Sequence, residues 1–498
     1  MAKSAIRRTK EKGFAILITT ASIFLILPVV GLAIDAGFLY VVRAKLSAAT
    51  DAAALAAARS LAKGMTLAEQ EGTAVARAQA FFDANFPDGL LMTRNRSANI
   101  TVWESGYRTR TVNVEGSVDA GLFFMRSLGD NATTVRATGR ASRRDVNLIL
   151  VLDKSGSMSS TGSCEPMKAA AKGFVNQFAN GRDRLGMVTF STGAKIDYAP
   201  SMNFQPNLNN KIDTINCSGW TNSATALWKA YQQLQTLNEP GVLNLILFFT
   251  DGQPTALTAN FPVKMLKDQR YEVNNGWNSY EWMNPSPCKD ANGERYYRNA
   301  SGSIYYNYPP WNPNWNPGSI TGVMAGSQTS GSHGLTEGLR DITTGNLLRV
   351  NRSCKYETNS DNYLRRDFAY IPEQDAYGNS TSGYLPSIRF TWGVYDGHIR
   401  IDEPTALRAA AKNVAYNAAY NILDDQTLGP VIYAIGLGDP TNPSYAPDQD
   451  FMLRVSNDPT SPVYNENHQP GLYVFAPDNT QLQQAFYRVA SEILRIAR

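Results

Sequence analysis

The sequence predicts an α/β fold, a mostly parallel sheet covered by helices, standing behind a membrane helix, a helical stalk and a small antiparallel region. Three observations predict it. Two uncharged apolar runs, Leu150–Leu152 and Leu245–Thr250, each end in an Asp followed by small residues (Asp153-Lys154-Ser155-Gly156-Ser157 and Asp251-Gly252), the pattern of strands buried on both faces. Strand and helix signals alternate after Asp145, as a parallel sheet requires. Near the N-terminus, Phe14 to Ala33 is a run of 20 residues without a charge.

As a helix that run is about 30 Å long, the thickness of a bilayer core, so residues 14–34 are expected to cross a membrane. Lys3, Arg7, Arg8, Lys10 and Lys12 precede it, which keeps tip 1–13 cytoplasmic and exports the remainder. Pro28 lies inside the run, where it is expected to kink the helix. Gly31-Leu32-Ala33, small-x-small, also fits a cleaved signal peptide, but the run is longer than a usual signal core and the helical pattern continues past it, which favours the span. The helical pattern continues past Asp35 into the Ala-rich stretch Ala48 to Ala62, where Ala favours helix, and resumes from Leu67 to Asn85 before Pro87-Asp88-Gly89. Residues 35–97 thus form a stalk. Period-two alternation in Asn99–Trp103, Arg108–Val118 and Thr133–Ala141 predicts half-buried antiparallel strands in 98–143.

The larger region reads in order. Pro166 to Asn180 is a helix with Pro near its start. Arg184 to Ser191 is a strand, Ala224 to Leu237 a helix and Leu243 to Thr250 the central strand. Thr405 to Leu423 is a helix, Pro430 to Leu437 and Gly471 to Phe475 are strands, and Asn479 to Ile496 is a closing amphipathic helix. Residues 144–256 and 404–498 therefore form one domain, interrupted by 257–403, too long for a structureless loop. That insertion is rich in Asn, Gly, Pro and aromatics, as in Tyr305 to Trp315. Its aromatics suit a small core of its own or stacking on a sugar or partner. Asp290-Ala291-Asn292-Gly293-Glu294 hints at calcium but lacks a full EF-hand loop and reads as a turn.

Strand-end carboxylates lie on the rim where open α/β sheets bind ligands. Asp153, Ser155 and Ser157 present three oxygens from one loop. Hard oxygen donors of low total charge suit Mg²⁺, although Asp153 and Ser155 alone would also fit a turn or helix cap. With Thr221, in Ser218-Gly219-Trp220-Thr221, and Thr250-Asp251-Gly252, the pattern resembles a von Willebrand factor A domain, a doubly wound, mostly parallel sheet. The resemblance implies a metal-ion-dependent adhesion site of Asp153, Ser155, Ser157, Thr221 and Asp251. Such a site holds Mg²⁺ (or Mn²⁺) with one position open to an Asp or Glu carboxylate of a protein partner. It also brings the loops near Cys164 and Cys217 to one metal, so those two are expected to pair and Cys288 to pair with Cys354. Four cysteines allow three pairings, and export permits disulfides.

The N-terminus adds a second resemblance. Its basic tip and apolar helix, followed by Ala33-Ile34-Asp35-Ala36-Gly37-Phe38-Leu39-Tyr40 and Ala49-Thr50-Asp51-Ala52, are similar to TadG-like proteins of tight-adherence (Flp) pilus assembly. This implies an exported protein-binding factor in pilus assembly or anchoring, single-pass in a bacterial inner membrane, with its bulk periplasmic or surface-exposed. A surface adhesin using the same site and the insertion is the alternative. Composition narrows the classes further. Forty-seven basic against 43 acidic residues give only +4, no nucleic-acid footprint. His333, His398 and His468 are scattered, leaving little for a His-based catalytic or zinc site, so no enzyme activity is expected.

Overall fold

The computed structural model describes residues 11–129, 131–262, 319–325, 339–346, 370–386, 404–439 and 447–496, with short strand segments between 270 and 296 and at 399–400. Two compact units divide at Arg144 and Asp145.

In the first unit, α1 (Glu11–Ser60) runs unbroken through Pro28. Helix α2 (Leu67–Asn85) starts on a capping box, in which the Glu69 amide donates to the Thr66 hydroxyl and the Thr66 amide to the Glu69 carboxylate, satisfying two amides that lack helical partners. Strands β1 (Arg94–Gly106), β2 (Thr109–Gly121) and β3 (Ala132–Arg144) form an antiparallel sheet with β2 central, longer than their alternating cores suggested. The second half of α1 packs Val42, Leu46, Ala49 and Ala53 with Phe82 of α2 and Val112 and Val114 of β2. The approach is close: a Cβ on Gly139 would lie 2.4 Å from the Thr50 carbonyl. Only hydrogen fits there. The Arg110 guanidinium donates to the Leu61 carbonyl (3.1 Å) and the Gln70 amide oxygen (3.2 Å), fastening the end of α1 to α2.

In the second unit, a six-stranded sheet is built from β4 (Val146–Asp153), β5 (Arg184–Phe190), β6 (Ala194–Ser201), β7 (Leu243–Thr250), β10 (Val431–Leu437) and β11 (Leu472–Ala476), in the order β11-β10-β7-β4-β5-β6. All pairings are parallel except β5 with β6. The mostly parallel sheet is therefore closed at one edge by an antiparallel strand that the alternation did not announce. Every residue of β4 is buried. Helices α3 (Gly156–Ser160) and α4 (Cys164–Val175) follow β4, and α5 (Gln205–Asp213) and α6 (Ser223–Leu237) follow β6. Later come α7 (Pro404–Leu423), α8 (Gln449–Val455) and α9 (Asn479–Ile496). One sheet face, with Ile149, Ile246 and Phe248, packs on α6 and α7. On the other, Phe249 meets Phe486 of α9, which meets Phe174 of α4. Helices thus cover both faces, a doubly wound sheet.

The described parts of 257–403 that follow pack into this core. Strand β8 (Ala256–Pro262) pairs antiparallel with β9 (Ser319–Ala325), and Leu257, Ala259, Phe261, Met324, Leu339 and Ile371 are buried in the main cluster. Three asparagines on one face of α7 hold residues 379–385. Asn413 bonds the Thr381 and Leu385 carbonyls and the Leu385 amide, Asn417 the Ser380 and Ser382 carbonyls, and Asn421 the Asn379 side chain. Spacing of four repeats the helical turn, and amides serve because they donate and accept at once. The aromatic run 305–315, the 290–294 segment and the side chains of Cys288 and Cys354 lie outside the described residues.

Asn413 is fully buried, so Asn413→Ala strands two carbonyls and an amide. The expected loss is about 2 kcal/mol, read from the denaturant midpoint. An unchanged midpoint would mean that the 379–385 segment is not anchored there.

Candidate functional site

Strands β4 and β7 are neighbours in register, Leu152 opposite Phe249, so the loops following both leave one rim of the sheet. Asp153 is fully buried. Its Oδ1 accepts the Ser155 amide at 2.7 Å, and its Oδ2 accepts the Thr250 hydroxyl at 2.5 Å. The Ser155 and Ser157 hydroxyls lie 3.0 Å apart, and Ser157 donates to Asp251 Oδ1 at 2.7 Å. One hydrogen-bonded chain thus connects both carboxylates through the loop between them. Thr221 reaches the same rim from the other side. A Cβ on Gly252 would lie 3.7 Å from Ser157 Oγ and 4.0 Å from Thr221 Oγ1. The structure brings all five residues singled out by the sequence to one place.

A layer that the motifs did not single out braces them. Thr250 links the two strand ends through Asp153. Buried Asn222 donates to the Thr192 carbonyl and the Thr258 hydroxyl. The Thr221 amide donates to Thr255, whose own amide returns to the Thr221 carbonyl. The Asp153 and Thr221 loops are stitched by Gly156 N–H to Gly219 O and Ser218 N–H to Lys154 O, both backbone bonds. Gly219 has φ +92°, and a Cβ there would lie 2.7 Å from the Thr192 hydroxyl, so glycine is required twice over. A disulfide joins Cys164, at the start of α4, to Cys217, across 53 residues. Closing a loop of that length is worth about 4 kcal/mol in the chain-entropy account. The signals for the brace were nearby: Thr250 and Asn222 adjoin two of the five residues.

The electrostatics of the site follow from its burial. Burial pushes both carboxyls above the ordinary aspartate range, and the charge of Asp153 pushes Asp251 further. Hydrogen bonds from Thr250, Ser155 and Ser157 pull the other way without cancelling this. Two carboxylates and three hydroxyls, with negative charge in excess and partly dry, are a donor set that fits a hard divalent cation. Beside Asp251 a cavity of about 210 Å³ is lined by Thr161, Ser163, Asp251, Leu437, Asp478 and Asn479, between the strand ends and the start of α9.

The second unit has the fold of a von Willebrand factor type A domain, a mostly parallel sheet between helices with the candidate site on its rim. Residues 147–275 match the family model for the von Willebrand factor type A domain, and residues 13–60 match the one described as "Putative Flp pilus-assembly TadE/G-like". The uncharacterized protein YfbK of Escherichia coli (strain K12) is 32% identical over 108 residues, 21% of this chain. The match spans 18% of that relative's length. Among solved structures, the vWF domain of the type V pili tip protein Mfa5 from Porphyromonas gingivalis is 17% identical. It covers 72% of this chain and 98% of its own, with a TM-score of 0.36. A mutant of the PilB minor pilin from Streptococcus sanguinis is 14% identical, covering 81% and 79%, with a TM-score of 0.34.

A raised carboxyl pKa means that the fold binds more protons than the unfolded chain, so stability is lost as pH rises above the ordinary Asp value near 4. Chelator-treated domain is therefore expected to melt lower as pH climbs from about 5 to 8. Asp251→Asn, which keeps the acceptor for Ser157 but removes the repulsion, should melt higher than wild type in chelator, by roughly 2–4 °C per kcal/mol recovered. The gap should widen toward pH 8. A variant melting at or below wild type across the range would contradict a repulsive pair.

Proposed function

We propose that the chain is a membrane-anchored, exported, metal-dependent protein-binding factor of Flp/Tad-type pilus assembly or anchoring. One observation carries the reading: a rim of two buried carboxylates and three hydroxyls stands in the same chain as a TadE/G-like segment. In this proposal Asp153, Ser155, Ser157, Thr221 and Asp251 hold Mg²⁺ (or Mn²⁺). The bound ion would supply an electrophilic position for an Asp or Glu carboxylate of a pilus or envelope partner. The chain's own part is to orient the five oxygens, keep them dry and leave the Asp251 side open, where the cavity lies. With both carboxylates engaged and no histidine in the set, the site offers no base for hydrolysis, which supports a binding role rather than an enzyme. The basic residues before the apolar run support an inner-membrane helix with a cytoplasmic N-terminus.

Magnesium is expected to raise the melting temperature of the wild-type chain, with about 2.7 kcal/mol of stabilisation at a hundredfold excess over Kd, and to leave Asp153→Ala/Asp251→Ala unmoved. In cells whose only copy carries both substitutions, with expression and membrane location verified, imaging should show surface pili lost. Pili that persist while attachment falls would transfer the site to an outward-facing adhesin. If pili and attachment both stay at wild-type levels, the metal-dependent role is wrong.

A further inference from the structure

The connection between β2 and β3 carries four apolar residues in succession, Leu122-Phe123-Phe124-Met125, where turns ordinarily carry polar residues. Its contacts explain where they go. Asp35, two residues beyond the uncharged run of α1, is buried, and its carboxylate accepts the backbone amides of Phe123 (2.8 Å), Phe124 (3.1 Å) and Met125 (2.9 Å). The Phe124 ring lies over Gly31, inside the apolar run, so closely that a Cβ on Gly31 would fall 2.3 Å from it. Phe123 stands edge-on to Phe38, ring centroids 5.1 Å apart, yet is 53% exposed. From Leu17 onward the large side chains of the apolar run are exposed, Phe24 at 77% and Leu27 at 60%.

Helix geometry sets the depth. At 1.5 Å per residue, Gly31 lies about 3 Å inside the end of the run and Phe38 about 7 Å beyond it. The headgroup zone is about 5–7 Å deep on each side of the hydrocarbon core. If α1 spans a bilayer, Phe124 sits at the hydrocarbon edge and Phe123 among the headgroups, the depth that aromatic rings prefer. Exposed Arg126 follows in the same loop, a basic side chain of the kind that anionic headgroups attract.

We propose that Phe123, Phe124 and Met125 form a second membrane contact, an interfacial foot clamped to α1 by Asp35 and Gly31, that enters the lipid interface beside the span. The occupant is lipid because the apolar surface of the loop is continuous with the exposed apolar face of the helix and ends in a cation. Asp35 lets the clamp form at that depth: three amides satisfy a carboxylate that would otherwise be costly near hydrocarbon. A lone helix leaves the first unit free to rotate and tilt, whereas a second contact fixes which face of its sheet meets the membrane. The inference rests on reading residues 14–34 as a membrane span.

The test uses the full chain reconstituted in phosphatidylcholine–phosphatidylglycerol vesicles containing lipids brominated on the acyl chains. Phe123→Trp is compared with Tyr107→Trp, a 64%-exposed site in the turn at the opposite end of β2, after subtraction of wild-type tryptophan emission. The expected result is loss of most of the Phe123→Trp emission and none of the Tyr107→Trp emission. Gly31→Leu in the Phe123→Trp chain, which must displace Phe124, should restore emission while the protein still floats with the vesicles. Flotation without bromine quenching at position 123 overturns the foot alone. Failure to float overturns the span and the foot together. A photo-crosslinker at position 123 should mark lipid, and adducts to a protein chain would overturn the lipid assignment in favour of a protein partner.

Discussion

Two carboxylates that cannot both be comfortably ionised set the terms for the second unit. Parallel pairing of β4 with β7 sends the chain off the same rim at both strand ends, and that is where Asp153 and Asp251 lie. Parallel strands buried on both faces leave those ends dry, so burial and mutual repulsion raise both groups. The three hydroxyls can be read as the answer to that constraint. They add oxygen donors without adding charge, and they accept or donate as their neighbours require.

Such an arrangement needs stiff loops, because a repelling pair left free would move apart. The brace is spread over several kinds of bond. Thr250 ties one strand end to the other, Asn222 fixes the Thr221 loop to the strand β5 side, backbone bonds join Gly156 to Gly219, and the Cys164–Cys217 disulfide closes the outside. The polypeptide that follows Asp251 does not leave the domain at once. It enters β8, whose buried Leu257, Ala259 and Phe261 join the main core, so the inserted segment and the site share a foundation.

The first unit solves a different problem with one helix. Among the described residues, the first half of α1 carries exposed large apolar side chains from Leu17 to Ile34, suited to lipid. Its second half buries small residues such as Ala49 and Ala53 in the core beside the sheet, and Gly139 comes up against the backbone of Thr50 while Gly116 meets the Thr50 and Leu46 side chains. Packing by close backbone approach replaces packing by bulk, which is why so Ala-rich a stretch still builds a core. Asp35 marks the join between the two regimes.

The sequence by itself determined the elements whose burial is periodic. The helices Leu67–Asn85 and Asn479–Ile496 and the strand Leu243–Thr250 were legible to the residue, because each alternates or runs apolar in step with its own geometry. The five oxygens of the candidate site were legible because they sit in short runs after buried strands. What only the tertiary structure decided has no local period. Edge strand Ala194–Ser201, only partly buried, and short helix Gln205–Asp213 escaped notice, since half-solvated elements carry little hydrophobic signal. The division at 257 cut through a core strand, because composition changes further along while the packing does not. Thr250, Asn222, the α7 asparagines and Asp35 each act on groups far away in the chain. Such bonds follow from which backbone groups the fold leaves without a partner, and that is settled only when distant segments meet.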